Sequence, residues 1–428
     1  MKDIKSSVGN ISKKLFSTGF FHIFGGNVLN KIIFFLSSIV LVRILTKSEY
    51  GTFTYAWNIY SIIFIFSGMG VDSGMLQLSS EHGGEPEYTK KISNFGTRFG
   101  IKFNLILSLV LLITGLFIPL KIKDGGQLLC ALCLLPLFQF IFNMMSGYLR
   151  AQKRNREFAV LSVFNTVLLF VVSAGGAYLL REMGLVIGYY FSTIAACLVG
   201  FFVFRIHLIS KDNAEIGKDK NDLLKIGFIS MVNNALAQLL YLLDVFILGI
   251  VDSQEKVLAS YKVATMIPTA LTFIPLSLMI YVYPYFAEHK DDGKWCIKRY
   301  KQIVLAIGAF NLFLSAMLFA FAPFIIKLLF GAQYLDAVTV FRILAVNYFI
   351  SGTFRIISGN LLVTQRKLKF NLIESIVSGI VNVIADFFLI KLWGSVGAAI
   401  ATVLVVVVSS VMSTVYLVMT FHRKEQAD

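Results

Sequence analysis

The chain has 428 residues, 57% of them hydrophobic and only 15% charged, with a mean hydropathy of +0.76. That composition excludes an ordinary soluble domain and predicts an all-α integral membrane protein. The net charge of +15 points to no nucleic-acid partner, because the basic residues sit in short connectors between apolar runs, where they report membrane orientation.

Twelve transmembrane helices are predicted, over residues 15–44, 52–79, 97–120, 126–149, 158–180, 184–206, 224–250, 258–287, 302–323, 337–364, 370–391 and 395–421. Each apolar run is long enough to cross a hydrocarbon core of roughly 30 Å. The first basic segment, through Lys14, leads into its helix with no small-residue cleavage site, so that helix is expected to be retained. It carries Gly25 and Gly26, where it is expected to be interrupted, and a polar stripe of Asn27, Lys31 and Ser38. In the second helix Gly68, Gly70 and Gly74 mark a bend and Asp72 is an intramembrane acid. The fourth holds Cys130 and Cys133 within a run read as continuous apolar helix; without a second pair or a nearby histidine these read as packing cysteines, not metal ligands.

After the fourth helix, Ser146, Gly147, Leu149, Arg154 and Phe158 are repeated at the same spacing by Ser358, Gly359, Leu361, Arg366 and Phe370, and Gly184, Val186 and Gly188 are echoed by Gly394, Val396 and Ala398. An offset near half the chain, spanning an even number of crossings, predicts two parallel-repeat six-helix bundles around a central cavity. The longest connector mixes Lys211, Asp212, Glu215, Lys218, Asp219, Lys220 and Asp222, the composition of a solvated linker. The expected division is therefore a bundle at 1–210, a cytoplasmic linker at 211–223 and a second bundle at 224–428.

In the second half, Asp244 lies in the seventh helix, and the eighth combines Lys262, Thr265, Thr269 and Thr272 with Pro268, Pro275 and Pro284, which are expected to bend it. The outward connector from Pro323 to Asp336 reads as a short interfacial segment. The tenth helix bears Arg342 and a stripe of Asn347, Ser351, Arg355 and Ser358. In the eleventh, Asn371, Glu374, Ser378, Asn382 and Asp386 recur every three or four residues and so share one face, which lipid would not tolerate.

Counting Lys and Arg at alternate helix ends puts twenty-seven on one side and eight on the other. The positive-inside rule then places both termini and the linker in the cytoplasm, a multi-pass topology expected for a bacterial cytoplasmic membrane. Four bases (Lys31, Lys262, Arg342, Arg355) and four acids (Asp72, Asp244, Glu374, Asp386) remain inside the helices. A charge near the bilayer centre costs at least about 2.5–3.5 kcal/mol, so these side chains face protein or a water-filled cavity unless they snorkel, which Lys262 and Arg342 can do from a turn inside their outer ends. Lys31 and Arg355 reach neither interface easily. They are the expected contacts for an anionic substrate, with Asn27 and Lys262 beside them. Asp244, Glu374, Asp386 and Asp72 are the expected carriers of a coupling H⁺ or Na⁺. The alternative for the acids is static pairing, Glu374 or Asp386 with Arg355.

Several segments, taken together, resemble the polysaccharide-export flippases (Wzx type) of the multidrug/oligosaccharidyl-lipid/polysaccharide exporter superfamily. They are Arg43, Leu45, Tyr50 and Gly51; Asp244 with Tyr261 and Ala264; Gly331, Ala332 and Tyr334; and Gly394, Gly397, Ala398, Ala399, Ala401 and Thr402. Ala259 departs from the pattern, where relatives often have glycine. The resemblance implies two bundles alternating between inward and outward openings. It also implies a polyprenyl-diphosphate-linked oligosaccharide as substrate, moved to the outer leaflet for surface-polysaccharide assembly, with a polysaccharide polymerase as a possible neighbour. No cofactor is implied and no nucleotide-binding motif is present, so a transporter, not an enzyme, is expected. A multidrug or organic-cation antiporter of the same fold is the rival, against which the cation Lys31 on the first helix counts. A polymerase or glycosyltransferase would want a large outward loop, which the chain lacks.

Overall fold

The computed structural model describes residues 20–122, 124–209, 219–252 and 254–426. The bases Lys2, Lys5, Lys13 and Lys14, the linker residues 211–218 and the helix start before Phe20 lie outside them. Every regular element among the described residues is helical. In chain order these are α1 (Phe20–Ile44), α2 (Lys47–Phe64), α3 (Val71–Glu81), α4 (Pro86–Phe117), α5 (Gly125–Ala131), α6 (Leu135–Ala151), α7 (Asn155–Phe202), α8 (Asp219–Val251), α9 (Glu255–Leu271), α10 (Phe273–Glu288), α11 (Gly293–Ala320), α12 (Ala322–Phe330), α13 (Val338–Ile350), α14 (Ile356–Thr364) and α15 (Leu368–Glu425).

Breaks inside the spans have chemical causes. Gly68, Met69 and Gly70 all have positive φ and form a short 3-10 turn between α2 and α3. α9 ends at Leu271 because Pro275 has no N–H to return to the Leu271 carbonyl. The Cys130 region is not one continuous helix, contrary to the sequence expectation. Pro136 leaves the chain broken between Ala131 and Leu135, and the Tyr190 hydroxyl repairs the gap by donating to the Ala131 carbonyl (2.9 Å) and accepting from the Leu134 N–H (3.1 Å). Gly25 and Gly26 do not interrupt α1. Gly26 is a packing notch instead, facing Ala159 of α7 where an added Cβ would sit 3.2 Å from the alanine side chain.

α7 and α15 are each two spans joined with almost no loop. In α7 the backbone reverses at Arg181 (φ 56°, ψ −135°), and in α15 at Gly394 (φ 54°, ψ −130°). Gly176 then lies against Gly184 and Ser173 against Gly188, while Gly397 packs on Leu389. The structural counterpart of Gly394 is thus Arg181, not the Gly184 suggested by the sequence echo. Counting each bent pair once and each reversed helix twice gives eleven spans among the described residues, and α8, apolar over Leu242–Val251, is the twelfth helix of the series.

A second repeat links the ends of α3 and α10. Glu81, His82 and Tyr88 match Glu288, His289 and Trp295 in spacing. Each histidine closes a helix by placing Nδ1 on the carbonyl four residues back (His82 on Leu78, 2.9 Å; His289 on Tyr285, 3.1 Å) and stacks on its aromatic partner.

The backbone groups into two compact units, one of Met1–Glu49 with Ile59–Ala235, the other of Tyr50–Asn58 with Leu236–Asp428. This differs from a cut at the linker in two places. The start of α8 joins the first unit, because Gly70 and Gly74 bring the α3 backbone against Gly227 and Leu223. Part of α2 joins the second unit: Gly51 packs against the Glu255 backbone, Tyr55 covers Gly249, and Asn58 Nδ2 donates to the Leu242 carbonyl at 3.1 Å. The first core gathers Val71, Met75, Phe140, Met144, Leu161 and Leu223; the second gathers Met279, Phe286, Tyr300, Leu361, Leu417 and Phe421.

Arg181 supplies a test. A side chain held in that glycine-type conformation costs about 1–3 kcal/mol. In return Arg181 forms an ion pair with Glu49 at 2.9 Å, half-exposed, worth roughly 0.2–1 kcal/mol. The strain exceeds the pair, so Arg181→Gly is expected to raise the thermal unfolding midpoint of purified protein or leave it unchanged, and Gly394→Ala to lower it. A clear loss of stability in Arg181→Gly would show that the Glu49 contact outweighs the strain.

Candidate ion and substrate site

In the second unit, three helices bring oxygen atoms together deep inside the protein. Asp244 of α8 is 6% exposed and Asp386 of α15 is fully buried. The Asp244 carboxylate accepts hydrogen bonds from the Tyr261 hydroxyl (2.8 Å), Asn382 Nδ2 (3.0 Å) and Thr402 Oγ1 (2.7 Å). Thr402 also lies 3.0 Å from the Ala398 carbonyl. The local sequence makes this possible: Asn382 and Asp386 are one turn apart on one face of α15, and the reversal at Gly394 brings Ala398 and Thr402 back beside them. Gly397, whose Cβ would fall 1.9 Å from the Leu389 carbonyl, lets the two arms of the hairpin touch.

Asp386 lies beside Asp244 and Asn382. Neither of its carboxyl oxygens, nor Asn382 Oδ1, meets a donor in the protein. Three orphaned acceptors and a second carboxylate therefore lie together inside the protein. Leaving buried polar atoms unpaired is costly, and leaving two like charges side by side is costlier. What the group lacks is positive charge: a proton or a small cation.

The rest of the Glu374 stripe is buried as its spacing requires, with Glu374, Ser378, Asn382 and Asp386 all under 9% exposed. Glu374 lies near Ser409 and within the field of Arg355, and is separated along α15 from the Asp244 group by about three turns. Arg355 ends a π-helical turn, Ser351–Arg355. That turn is anchored by Asn311 of α11, which accepts from the Tyr348 hydroxyl (2.8 Å) and donates to Thr353 (3.3 Å). The extra residue in the turn shifts the helix face: Ser358 points into the core, bonding Tyr300 and Thr414, while Arg355 stays half-buried.

Other expected site residues lie elsewhere. Asn27 and Lys31 are on an exposed face of α1, whose Asn30 is tied to Ser162 of α7 at 2.7 Å. Lys262 of α9 is exposed, and Thr265 and Thr272 on its stripe satisfy their hydroxyls on the carbonyls of Lys262 and Thr269. Asp72, in the first turn of α3, is half-buried and belongs to the first unit, not to the Asp244 group. Tyr261, Asn382 and Thr402 are site residues that a charge census passes over. Asn382 was within reach of it, one turn from Asp386 on the same stripe. Among the described residues no group of three or more His, Cys, Asp or Glu side chains could hold a metal ion.

Residues 40–339 match a family model described as polysaccharide biosynthesis protein. The sequence matches no curated protein. In fold, the chain is similar to an inward-facing multidrug resistance MATE family transporter of the MOP superfamily (16% identity, 93% of this chain and 96% of that one, TM-score 0.77). It is similar also to the lipid II flippase MurJ in an inward closed conformation (14% identity, 94% and 90% covered, TM-score 0.68) and to a MOP superfamily transporter from Pyrococcus furiosus (15% identity, 96% of each chain, TM-score 0.62). The architecture is the all-α, twelve-helix, two-repeat fold of that superfamily.

Proposed function

We propose, for a chain that belongs to the polysaccharide biosynthesis protein family, that this multi-pass membrane protein is a Wzx-type flippase. It would move polyprenyl-diphosphate-linked oligosaccharides from the inner to the outer leaflet of the bacterial cytoplasmic membrane, driven by a gradient of H⁺ or Na⁺. The observation that carries the coupling is the Asp244–Asp386 group with its three orphaned acceptors. Family and fold support the substrate class. A diphosphate with several sugars cannot cross hydrocarbon unaided, and the cations Lys31 and Arg355 offer it charge-assisted hydrogen bonds.

The ion step follows from the donor set. Asp244 already takes three hydrogen bonds, so it is the fixed anion, and Asp386 with Asn382 Oδ1 supplies the open acceptors. An ion bound there is surrounded by the Asp244, Asp386, Asn382, Thr402 and Ala398 oxygens, a set of hard ligands suited to Na⁺ or, at a carboxyl, to a proton. All of these groups come from α8 and the two arms of α15, so a shift of one arm changes the number of oxygens facing the ion. Binding and release can thereby be tied to the protein's conformation. Glu374 is the secondary carrier and Asp72 the candidate in the first unit. No catalytic step is assigned to any residue.

The reading is tested in proteoliposomes carrying a fluorescent polyprenyl-diphosphate oligosaccharide, with lectin outside reporting its appearance in the outer leaflet. Protein-dependent appearance that accelerates under an imposed H⁺ or Na⁺ gradient is expected. Movement of organic cations and none of the lipid-linked sugar would favour the antiporter. Orientation has its own test: an impermeant thiol reagent applied to intact cells is expected to label a cysteine placed at Lys327 and not one placed at Lys290, and the reverse pattern would invert the topology.

A further inference from the structure

We infer that a slot on the second unit, between α10 and α11, binds one acyl chain of an anionic phospholipid whose phosphate sits at Arg299. The slot has a volume of about 410 Å³ and is lined by Leu278 of α10 and by Arg299, Gln302, Ile303, Ala306 and Ile307 of α11. The lining residues of α11 recur every three or four positions and so follow one face of the helix. They change from polar to apolar along it: Arg299 and Gln302 at one end, Ile303, Ala306 and Ile307 beyond. The small side chain of Ala306 leaves room where a larger one would close the groove.

The polar end is built to hold a charge in place. Arg299 Nη1 donates to Gln302 Oε1 at 2.9 Å and the guanidinium lies 5.9 Å from the centre of the Trp295 ring, which itself stacks on His289. Two acids of the preceding turn are already engaged: Asp292 accepts the Trp295 N–H at 2.8 Å as the helix cap, and Asp291 faces Lys424. The mouth of the slot therefore carries the Arg299 charge and opens onto the apolar groove formed by Leu278, Ile303, Ala306 and Ile307. A phosphate with a hydrocarbon chain attached meets both requirements, and basic side chains at a membrane surface attract anionic headgroups. One guanidinium at the mouth suits the single charge of a phospholipid phosphodiester better than a diphosphate. The inference does not depend on what the protein transports.

The test uses the full chain purified in mild detergent, with its thermal unfolding midpoint followed as lipid is added. Phosphatidylglycerol is expected to raise the midpoint saturably and phosphatidylethanolamine to leave it unmoved, because a ligand that binds only the folded state stabilises it by mass action. Arg299→Gln and Ala306→Trp are each expected to raise the half-saturating phosphatidylglycerol concentration by about tenfold or more, and Arg299→Lys to retain most of the response. If Ala306→Trp does not fold, Ile303→Trp fills the same slot. An equal shift with phosphatidylethanolamine overturns the inference. So does an unchanged phosphatidylglycerol titration in the slot-filling variant, which would leave surface charge alone as the cause. A shift given by polyprenyl phosphate and not by phosphatidylglycerol would reassign the slot to the isoprenoid carrier and overturn it equally.

Discussion

Asp386→Asn is expected to leave the protein folded and able to exchange its lipid substrate between leaflets, yet blind to an imposed H⁺ or Na⁺ gradient. The reason is local. Asp386 contributes two buried carboxyl oxygens that meet no donor in the protein, so its charge supports no internal hydrogen bond that folding requires. The amide brings N–H donors to a pocket where Asn382 Oδ1 has none, which favours stability. Asp244→Asn should also lose the gradient response, but with a stability cost. Its carboxylate holds Tyr261, Asn382 and Thr402, and each hydrogen bond to a charged acceptor contributes about 1.5–3 kcal/mol. Couplings between two ligands of one protein are typically about 5–150-fold, and a loss on that scale is what flux measurements in vesicles with and without a gradient should read. If both variants respond to the gradient as wild type does, the Asp244 group is a structural polar cluster and the coupling lies elsewhere.

The second large effect is expected at the two cations. Lys31→Ala and Arg355→Ala should abolish export while the protein still inserts, and Lys31→Arg should keep part of it, because charge is the requirement. A lost charge-assisted contact of about 1.5–3 kcal/mol corresponds to a rate loss of roughly 10–150-fold. Arg355 needs a control, since it also acts on the buried Glu374. Removing it alone leaves that acid without its compensating charge, and stability is expected to fall with activity. The double variant Arg355→Ala with Glu374→Gln removes both charges and is expected to recover stability but not export. Recovery of both would make the pair purely structural. Normal export by Lys31→Ala and the double variant, at normal protein levels, would remove the cations from substrate binding.

Much of this arrangement is written plainly in the sequence, and for identifiable reasons. The twelve spans follow from long apolar runs, and the buried face of the eleventh span follows from polar residues at helical spacing. Asp244 and Asp386 stand out because a carboxyl inside a membrane helix is expensive anywhere except beside a partner. Their meeting could not be read, because they are separated by 142 positions and joined by the reversal at Gly394, and a reversal without a loop leaves no polar signature. Arg181 hid the equivalent reversal in the first half, since nothing about an arginine predicts a glycine-type backbone. The break near Cys133 was invisible for another reason: the hydroxyl that satisfies it belongs to Tyr190, some 56 positions later. The π-helical turn before Arg355 is also a product of packing, set by Asn311 on a neighbouring helix.

The segment Tyr50–Asn58 fixes an order of events during synthesis. It emerges from the ribosome near the start of the chain but finds its packing partners, Glu255, Gly249 and Leu242, only after nearly 200 further residues have been made. Until then its backbone notch at Gly51 and the amide of Asn58 must wait in the membrane without their neighbours. The first unit is likewise incomplete until the start of α8 arrives to meet Gly70 and Gly74. Neither unit can therefore finish folding independently as the chain emerges, and separately expressed halves divided at the linker would each carry a piece of the other.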